Sequence, residues 1–554
     1  MGRTSDREIR YSDGEAAERD LLAAVRSTAD VSLESEELMG KVKDIASHYY
    51  LGIGRSTILR CLDLPAESRV LELGAGCGAI TRYLGETFAS VDAVDASPIR
   101  VEIARERCRD LDNVSVLCRD LRNERFDSNY DIVVIIGVLE YAPVFIYPGE
   151  APRDACSRFL QLARSALNEN GNLVLAIENR IGLDYWAGAP ENHTGKPYDG
   201  VHDYPNAGSP VTFTRTELQE LLADAGFTHS AFNYCFPDYH YASTILSSTG
   251  AEREYYLHNW VGFSLDSPRT TKRHTFNRPL AAKTLGESGL LREFANSFLV
   301  VAGRHPVPDA KWVARKYSMK RQRLFRIVTT LFAHPEPFVR KTPLHASPGE
   351  SRDTEFDRVR LRTEDAGWKP GNLLSFEIEQ AALRKDFPDY LSSLIDRYRG
   401  ELESHYGTGE RDAESYPLLS TRSLDAVFAN IIQDEDGRWH FVDEEWQTRT
   451  EIPIDFMLYR CIRFCLFGHG VSDAQARKMI RSLYPSYNRS RHKKNRALAD
   501  AFQREIFLDT IDPRVFKGNL LGRIVRNDVV RPCLEKVWRR TPRRFRTMIR
   551  RRLL

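Results

Sequence analysis

Residues 69–95, RVLELGAGCGAITRYLGETFASVDAVD, change period twice, and each change marks an element. Val70, Leu71 and Leu73 form a short apolar run closed by glycine, which reads as a buried strand. Gly74, Gly76 and Gly78 recur at every second position, where the backbone turns sharply and a ligand can approach it closely. Helical spacing then predicts a helix over 79–86, and a second apolar run over 91–94 ends on Asp95. The pattern continues downstream with a helix over 97–109 capped by Ser97 and a strand over 114–118 leading to Asp120. A buried strand over 131–136 stops at Gly137. A helix over 154–168 precedes a fifth strand, from Gly171 to Glu178 and Asn179. TRTELQELLADAG (214–226) is a helix with Thr214 as cap, Glu217 three residues on and Gly226 as stop. Strands over 231–236 and 297–304 complete the count. Strands alternating with helices predict an α/β fold with a doubly wound, mostly parallel, seven-stranded sheet.

The stretches that break this rhythm divide the chain. Residues 1–38 are polar, with a helical run over 16–27, and read as a mobile or loosely docked leader. Residues 39–64 are amphipathic and carry Tyr49 and Tyr50 toward the glycine turn, either as lids or as core tyrosines. Residues 180–212, crowded with aromatic and hydrogen-bonding groups, leave the carboxyl edge of the sheet, where open α/β sheets hold ligands. A second insertion covers 239–295. Both read as acceptor-binding segments of a first domain, 39–304. Residues 305–530 predict a separate α+β domain, and 531–554 a basic amphipathic tail suited to an anionic membrane surface or to packing on the domain.

Composition narrows this only slightly. The 554 residues carry 79 Lys and Arg against 77 Asp and Glu, so the chain does not announce a nucleic-acid partner. Nine cysteines lack any C-x-x-C pair and read as reduced thiols of a cytoplasmic protein. No run of about 18 apolar residues occurs, which predicts no spanning helix.

The glycine turn admits two chemistries. A dinucleotide site needs the same glycines and an acid roughly 20 residues on, which Asp95 supplies. Glu72, two residues before Gly74, suits a ligand with a cationic amine better than a pyrophosphate. Asp120 adds an acid at the next strand end. Together with YDIVVIIGVLEY, this succession resembles the class I S-adenosylmethionine methyltransferases from about His48 to Arg304. The resemblance implies S-adenosylmethionine as cofactor, cradled by Gly74, Ala75, Gly76 and Gly78. Asp95 and Ala96 would then take the ribose, Asp120 and Leu121 the adenine, and Glu72, Gly137 and Glu140 the methionine end. Methyltransferases of adenine or amide nitrogen carry Asn/Asp-Pro-Pro-aromatic where this chain has Gly137-Val138-Leu139-Glu140, which argues against such acceptors. AIEN, GLDYWAGAPENH and ANSFLVVAGR are similar to bacterial methyltransferases that accompany surface-polysaccharide glycosyltransferases. That similarity implies a glycan or glycan-lipid hydroxyl as acceptor, at the inner membrane face. A small-molecule acceptor is the alternative. An oxygen acceptor gains from a general base, and His193, Glu191 and Glu140 are the candidates, with His202 and Asp203 behind them.

In the second half, Asp425, Asn430 five residues later and Asp443 after a hairpin turn resemble the catalytic end of kinases. That likeness implies magnesium at Asn430 and Asp443, ATP on Lys341 and Asp425 as base. Ser423 stands where kinases have histidine, Asp443 is followed by Glu444-Glu445-Trp446, and no glycine-rich loop precedes Lys341. An unrelated acceptor-binding domain is the other expectation.

Overall fold

The computed structural model describes residues 14–508, apart from 207, 263–273, 346–349 and 354. The basic tail expected over 531–554 lies outside the described residues. Among those described, no helix is long and apolar enough to cross a membrane.

The expected strands form as β1 (Arg69–Leu73), β2 (Ser90–Asp95), β3 (Val114–Cys118), β4 (Tyr130–Ile136) and β5 (Leu167–Glu178). They pair in parallel in the order β3-β2-β1-β4-β5. Their apolar residues are buried on both faces, as a parallel sheet covered by helices requires. The helices α3 (Ala79–Thr87), α4 (Pro98–Arg107), α5 (Pro152–Ala166) and α6 (Arg215–Asp224) follow the strands, after α1 (Glu15–Arg26) and α2 (Ile45–Leu51) in the leader region. Thr214 and Glu217 make the reciprocal cap expected of them. Ser97 occupies the cap position of α4, but its side chain makes no capping bond. The Asp95 carboxylate accepts from the Ser97 amide instead, at 2.9 Å.

Beyond β5 the sheet turns antiparallel and does not stop at seven strands. The strands β8 (Ser297–Gly303) and β6 (His229–Phe236) follow, then β7 (Thr244–Leu246) from the second insertion. β7 pairs with β9 (Ala314–Tyr317), and the ladder continues through β10 (Ile327–Phe332), β11 (Phe338–Pro343) and β12 (Ala366–Gly367). One 12-stranded sheet therefore runs across the junction between the two halves. The rest of the second half is a helical lobe whose core surrounds α7 (Ile454–Leu466), with the hairpin β13 (Ile431–Gln433) and β14 (Trp439–Phe441) on it. Cys461 is fully buried there and its sulfur accepts from the Phe428 amide.

The leader is docked rather than mobile from Glu15 onward. Leu21, Leu22 and Val25 are buried among residues of α2 and α4, and Glu18 pairs with Arg100 at 3.1 Å with both side chains buried. Glu34 takes Arg60 of the first half at 2.7 Å and Arg326 of the second at 2.6 Å, with His345 at 2.5 Å. Arg326 has no exposed surface, so its charge depends on this partner.

Two expected outcomes follow from these buried charges. Glu34→Ala strands two arginines and is expected to cost about 3 kcal/mol, read as a lowered denaturant midpoint; an unchanged midpoint contradicts the clamp. Glu72 is enclosed in β1, and burial pushes its carboxyl up to about 7 despite the Thr81 hydroxyl donating to it at 2.5 Å. The unfolded chain releases this proton from about pH 4.5, and the folded chain holds it to about pH 7. Stability from this group is full below pH 4.5 and lost as pH rises toward 7, by about 3 kcal/mol at most. Denaturation of Glu72→Gln across that window should decline less than wild type, and parallel curves would refute the assignment.

Candidate functional site

Parallel strands leave their carboxyl ends on one edge, so Gly74, Asp95, Asp120 and Gly137 all fall on the same rim. Gly74, Gly76 and Gly78 have φ of 88°, 53° and 81°, the left-handed region that side chains resist. The amides of Gly74 and Ala75 donate to the Val94 carbonyl at 2.8 and 3.0 Å, which ties the turn to β2. Asp95 lies on this turn, with Oδ2 accepting from the Gly76 amide at 2.9 Å. Gly78 starts α3, and a Cβ there would stand 2.8 Å from the Ala104 backbone, so glycine permits α3 and α4 to touch. Tyr50 reaches over the turn, its ring 3.6 Å from where a Gly76 side chain would begin. Its hydroxyl accepts from Arg100 at 3.0 Å, so this tyrosine is both buried and a cover. Asp120 sits beyond β3 with its carboxylate exposed and held by the Arg122 side chain and, at 3.0 Å, the Arg122 amide. Leu121 is buried in the core, and the Ala96 carbonyl accepts from Cys118.

The turn continues directly into a second cluster. A side chain on Gly74 would run into Val138, so the β4 turn is packed against the glycine turn. Gly137 has φ 70° and a Cβ on it would collide with the Tyr239 hydroxyl. Glu140 follows three residues later with no exposed surface, and neither of its carboxylate oxygens has a hydrogen-bond partner among the described residues. Glu178, at the end of β5, is equally buried. The first insertion folds back over both. Glu191 organises it, accepting from the amides of His193 and Thr194 at 2.7 Å each and from His193 Nδ1 at 2.9 Å. His193 Nε2 then points between Glu140 Oε1, at 3.7 Å, and Glu178 Oε1, at 3.9 Å. Asn192 donates to Glu178 at 2.8 Å. The Val211 amide donates to the Glu140 carbonyl at 3.1 Å and pins the far end of the loop.

Rings wall this centre. Tyr141 meets His193 edge-on at 5.2 Å, Tyr239 stacks on His240 at 4.0 Å, and Tyr49 tilts against His240 at 5.4 Å. His240 Nε2 lies 3.8 Å from Glu178 Oε1.

The electrostatics reassign two of the three expected bases. Burial alone would lower the His193 pKa, but Glu178, Glu140 and Glu191 push it up to about 10. The surroundings thus favour the protonated ring. Burial opposes ionisation of Glu191, yet His193 and the loop amides hold its carboxyl below the usual range. It is committed to positioning His193. Glu140 alone combines enclosure with uncommitted oxygens. His202 and Asp203 are exposed, and Asp203 pairs with Arg180. Sequence reasoning passed over Glu178, Tyr141, Tyr239 and His240. The signal for Glu178 was an acid ending an apolar strand at the ligand edge.

In the second half, Lys341 Nζ meets Asp443 Oδ1 at 2.7 Å and Glu445 Oε1 at 3.5 Å. Burial works against ionised Asp443, but Lys341 and Lys316 hold it below the ordinary range. Asp443 adopts φ 62°. Asn430 donates to the Asp425 carbonyl at 3.1 Å. The Asp425 carboxylate is less available than a base should be, since Oδ2 accepts from the amides of Glu445 and Trp446 at 2.7 and 2.9 Å.

Known proteins resemble the first of these sites. A family model described as a methyltransferase domain matches residues 71–173. The demethylmenaquinone methyltransferase of Tropheryma whipplei (strain Twist) is 39% identical over 82 residues, 15% of this chain and 34% of that protein. The mitochondrial ubiquinone biosynthesis O-methyltransferase of Schizosaccharomyces pombe is 30% identical over 120 residues, 21% of this chain and 39% of that protein. The chain therefore spans little more than a third of the length of these curated relatives. Among solved structures, a complex of the Haloferax volcanii Trm112 activator with a methyltransferase aligns at 17% identity. It covers 47% of this chain and 90% of that one, with a TM-score of 0.29. The matched segment runs from within β1 to within β5 and holds the glycine turn, Asp95 and Glu140, so the likeness to methyltransferase domains falls on this part of the chain.

Proposed function

We propose that this protein transfers a methyl group from S-adenosylmethionine to a hydroxyl oxygen of a glycan or glycan-lipid. The observation that carries the oxygen assignment is Glu140, a fully enclosed carboxylate with both oxygens uncommitted beside the glycine turn. A sulfonium donor is already activated, so the enzyme must align the acceptor with the S–CH3 bond and keep water out. Buried position, ring walls and the folded-back insertion serve those ends. An acceptor hydroxyl set against Glu140 gives up its proton to that carboxylate as the oxygen attacks the methyl carbon, and the sulfonium leaves as a neutral thioether. His193, whose Nδ1 is held by Glu191, supplies a positive charge beside the carboxylates while it carries its proton.

The acceptor class rests on the character of the pocket. Tyr49, Tyr141, Tyr239 and His240 offer ring faces of the kind that stack on sugar C–H surfaces, while Asn192 and the carboxylates supply hydroxyl partners. The relatives' names point to another ring-borne hydroxyl, that of a quinone precursor, and this is the competing acceptor.

A second reading concerns the other half. The meeting of Lys341 with Asp443 at 2.7 Å favours a phosphoryl-transfer site there, which would make the protein bifunctional on one acceptor terminus.

Labelled S-adenosylmethionine incubated with the full chain and either envelope glycan fractions or polyprenylated phenols is expected to mark the glycan. Label found only on the phenols would replace the acceptor, and label on neither would end the oxygen assignment. Glu140→Gln should lower kcat by about 10²- to 10⁴-fold with cofactor affinity retained, whereas unchanged kcat removes Glu140 as proton acceptor. Asp443→Asn should abolish binding of magnesium ATP measured by calorimetry; wild type that binds none removes the second activity.

A further inference from the structure

The contacts of His193 Nδ1 and Nε2 differ: Glu191 holds the first at 2.9 Å, whereas the second has only longer carboxylate neighbours. Its Nε2 stands 3.7 Å from Glu140 Oε1 and 3.9 Å from Glu178 Oε1, too long for direct hydrogen bonds. Two ligand atoms each about 2.1 Å from one ion can be as far as about 4.2 Å apart, so both separations fit a shared ion. The three ligand atoms lie within 4.8 Å of one another. Glu140 is the independent sign, since it is 0% exposed, aimed into the cluster, and has neither oxygen hydrogen-bonded among the described residues.

The surroundings have the form of a metal shell. Glu191 accepts from His193 Nδ1 at 2.9 Å, which fixes the tautomer and leaves Nε2 as the ligating nitrogen. Asn192 holds Glu178 at 2.8 Å, so a ligating carboxylate is itself oriented. Neighbouring residues 191 to 193 thus furnish one ligand and the supports of two.

We propose that Glu140, Glu178 and His193 bind one divalent transition-metal cation, with its remaining positions facing the acceptor pocket. One imidazole and two carboxylates suit manganese, iron or zinc; magnesium prefers oxygen ligands in near-ideal octahedra. The ion takes the place of the Nε2 proton, which passes to solvent. The Glu140 oxygen that does not ligate stays available to the acceptor. The proposal stands apart from methyl transfer, because it concerns binding alone.

The test uses the full chain stripped with a chelator and titrated with manganese or zinc chloride, with bound metal counted by mass spectrometry. One equivalent is expected for wild type and none for Glu140→Gln or His193→Ala, while Glu191→Gln should bind about 10- to 100-fold more weakly. A circular dichroism spectrum and unfolding transition like those of wild type show that Glu140→Gln is folded, and a parallel titration of wild type with S-adenosylmethionine separates this result from the cofactor reading. The thermal midpoint should rise with metal in wild type and not in Glu140→Gln. Wild type without bound metal overturns the proposal. So does an equivalent kept in Glu140→Gln but lost in Asp443→Asn, which would place the ion in the second half.

Discussion

Burying Glu140, Glu178 and Glu191 around His193 is the constraint from which much of the first half follows. Carboxylates with 0 to 2% exposure are costly to desolvate and persist only where their surroundings answer the charge. The answer here is assembled from distant parts of the chain: a β4 turn, a β5 end, a loop folded back by Glu191, and the Tyr239-His240 pair from the second insertion. None of these elements supplies a pocket by itself. Gly74 and Gly137 let them close, the first admitting Val138 and the second the Tyr239 hydroxyl. The glycine turn and the carboxylate cluster are therefore two sides of one packed contact.

The same economy of contact joins the two halves. A three-residue strand, β7, links the sheet of the first half to the antiparallel ladder that carries Lys341, and Glu34 from the leader grips an arginine on each side. His258 and Asn259 of the second insertion reach Asn372 and Gly371 in the other half. The second insertion thereby touches both the Glu178 cluster and the second half.

The fold of the first half was legible because its signals are local. Apolar runs of strand length, glycines at alternate positions and the Thr214-Glu217 cap need no tertiary context. Asp95 was legible for the same reason, as an acid at fixed distance from the turn, although its bond to the Ser97 amide displaced the cap expected from Ser97 itself. The extension of the sheet was not legible, because TIL at 244–246 is too short to stand out from a loop. The leader was misread because its apolar stripe is narrow and its charges, Glu18 and Glu34, find their partners some 80 and 290 residues away. The role of His193 was hidden most deeply. Its proton affinity is raised by three carboxylates that only folding brings together, against the lowering that burial alone would cause.

The account stands on a cofactor cradle formed by the glycine turn and Asp95. A calorimetric titration of the full chain with S-adenosylmethionine tests it most directly, with Asp95→Ala beside the wild type. One site is expected in wild type, weakened about 10- to 100-fold in Asp95→Ala by loss of charge-assisted hydrogen bonds to the ribose. No binding by folded wild type, or equal affinity in both proteins, would contradict the account.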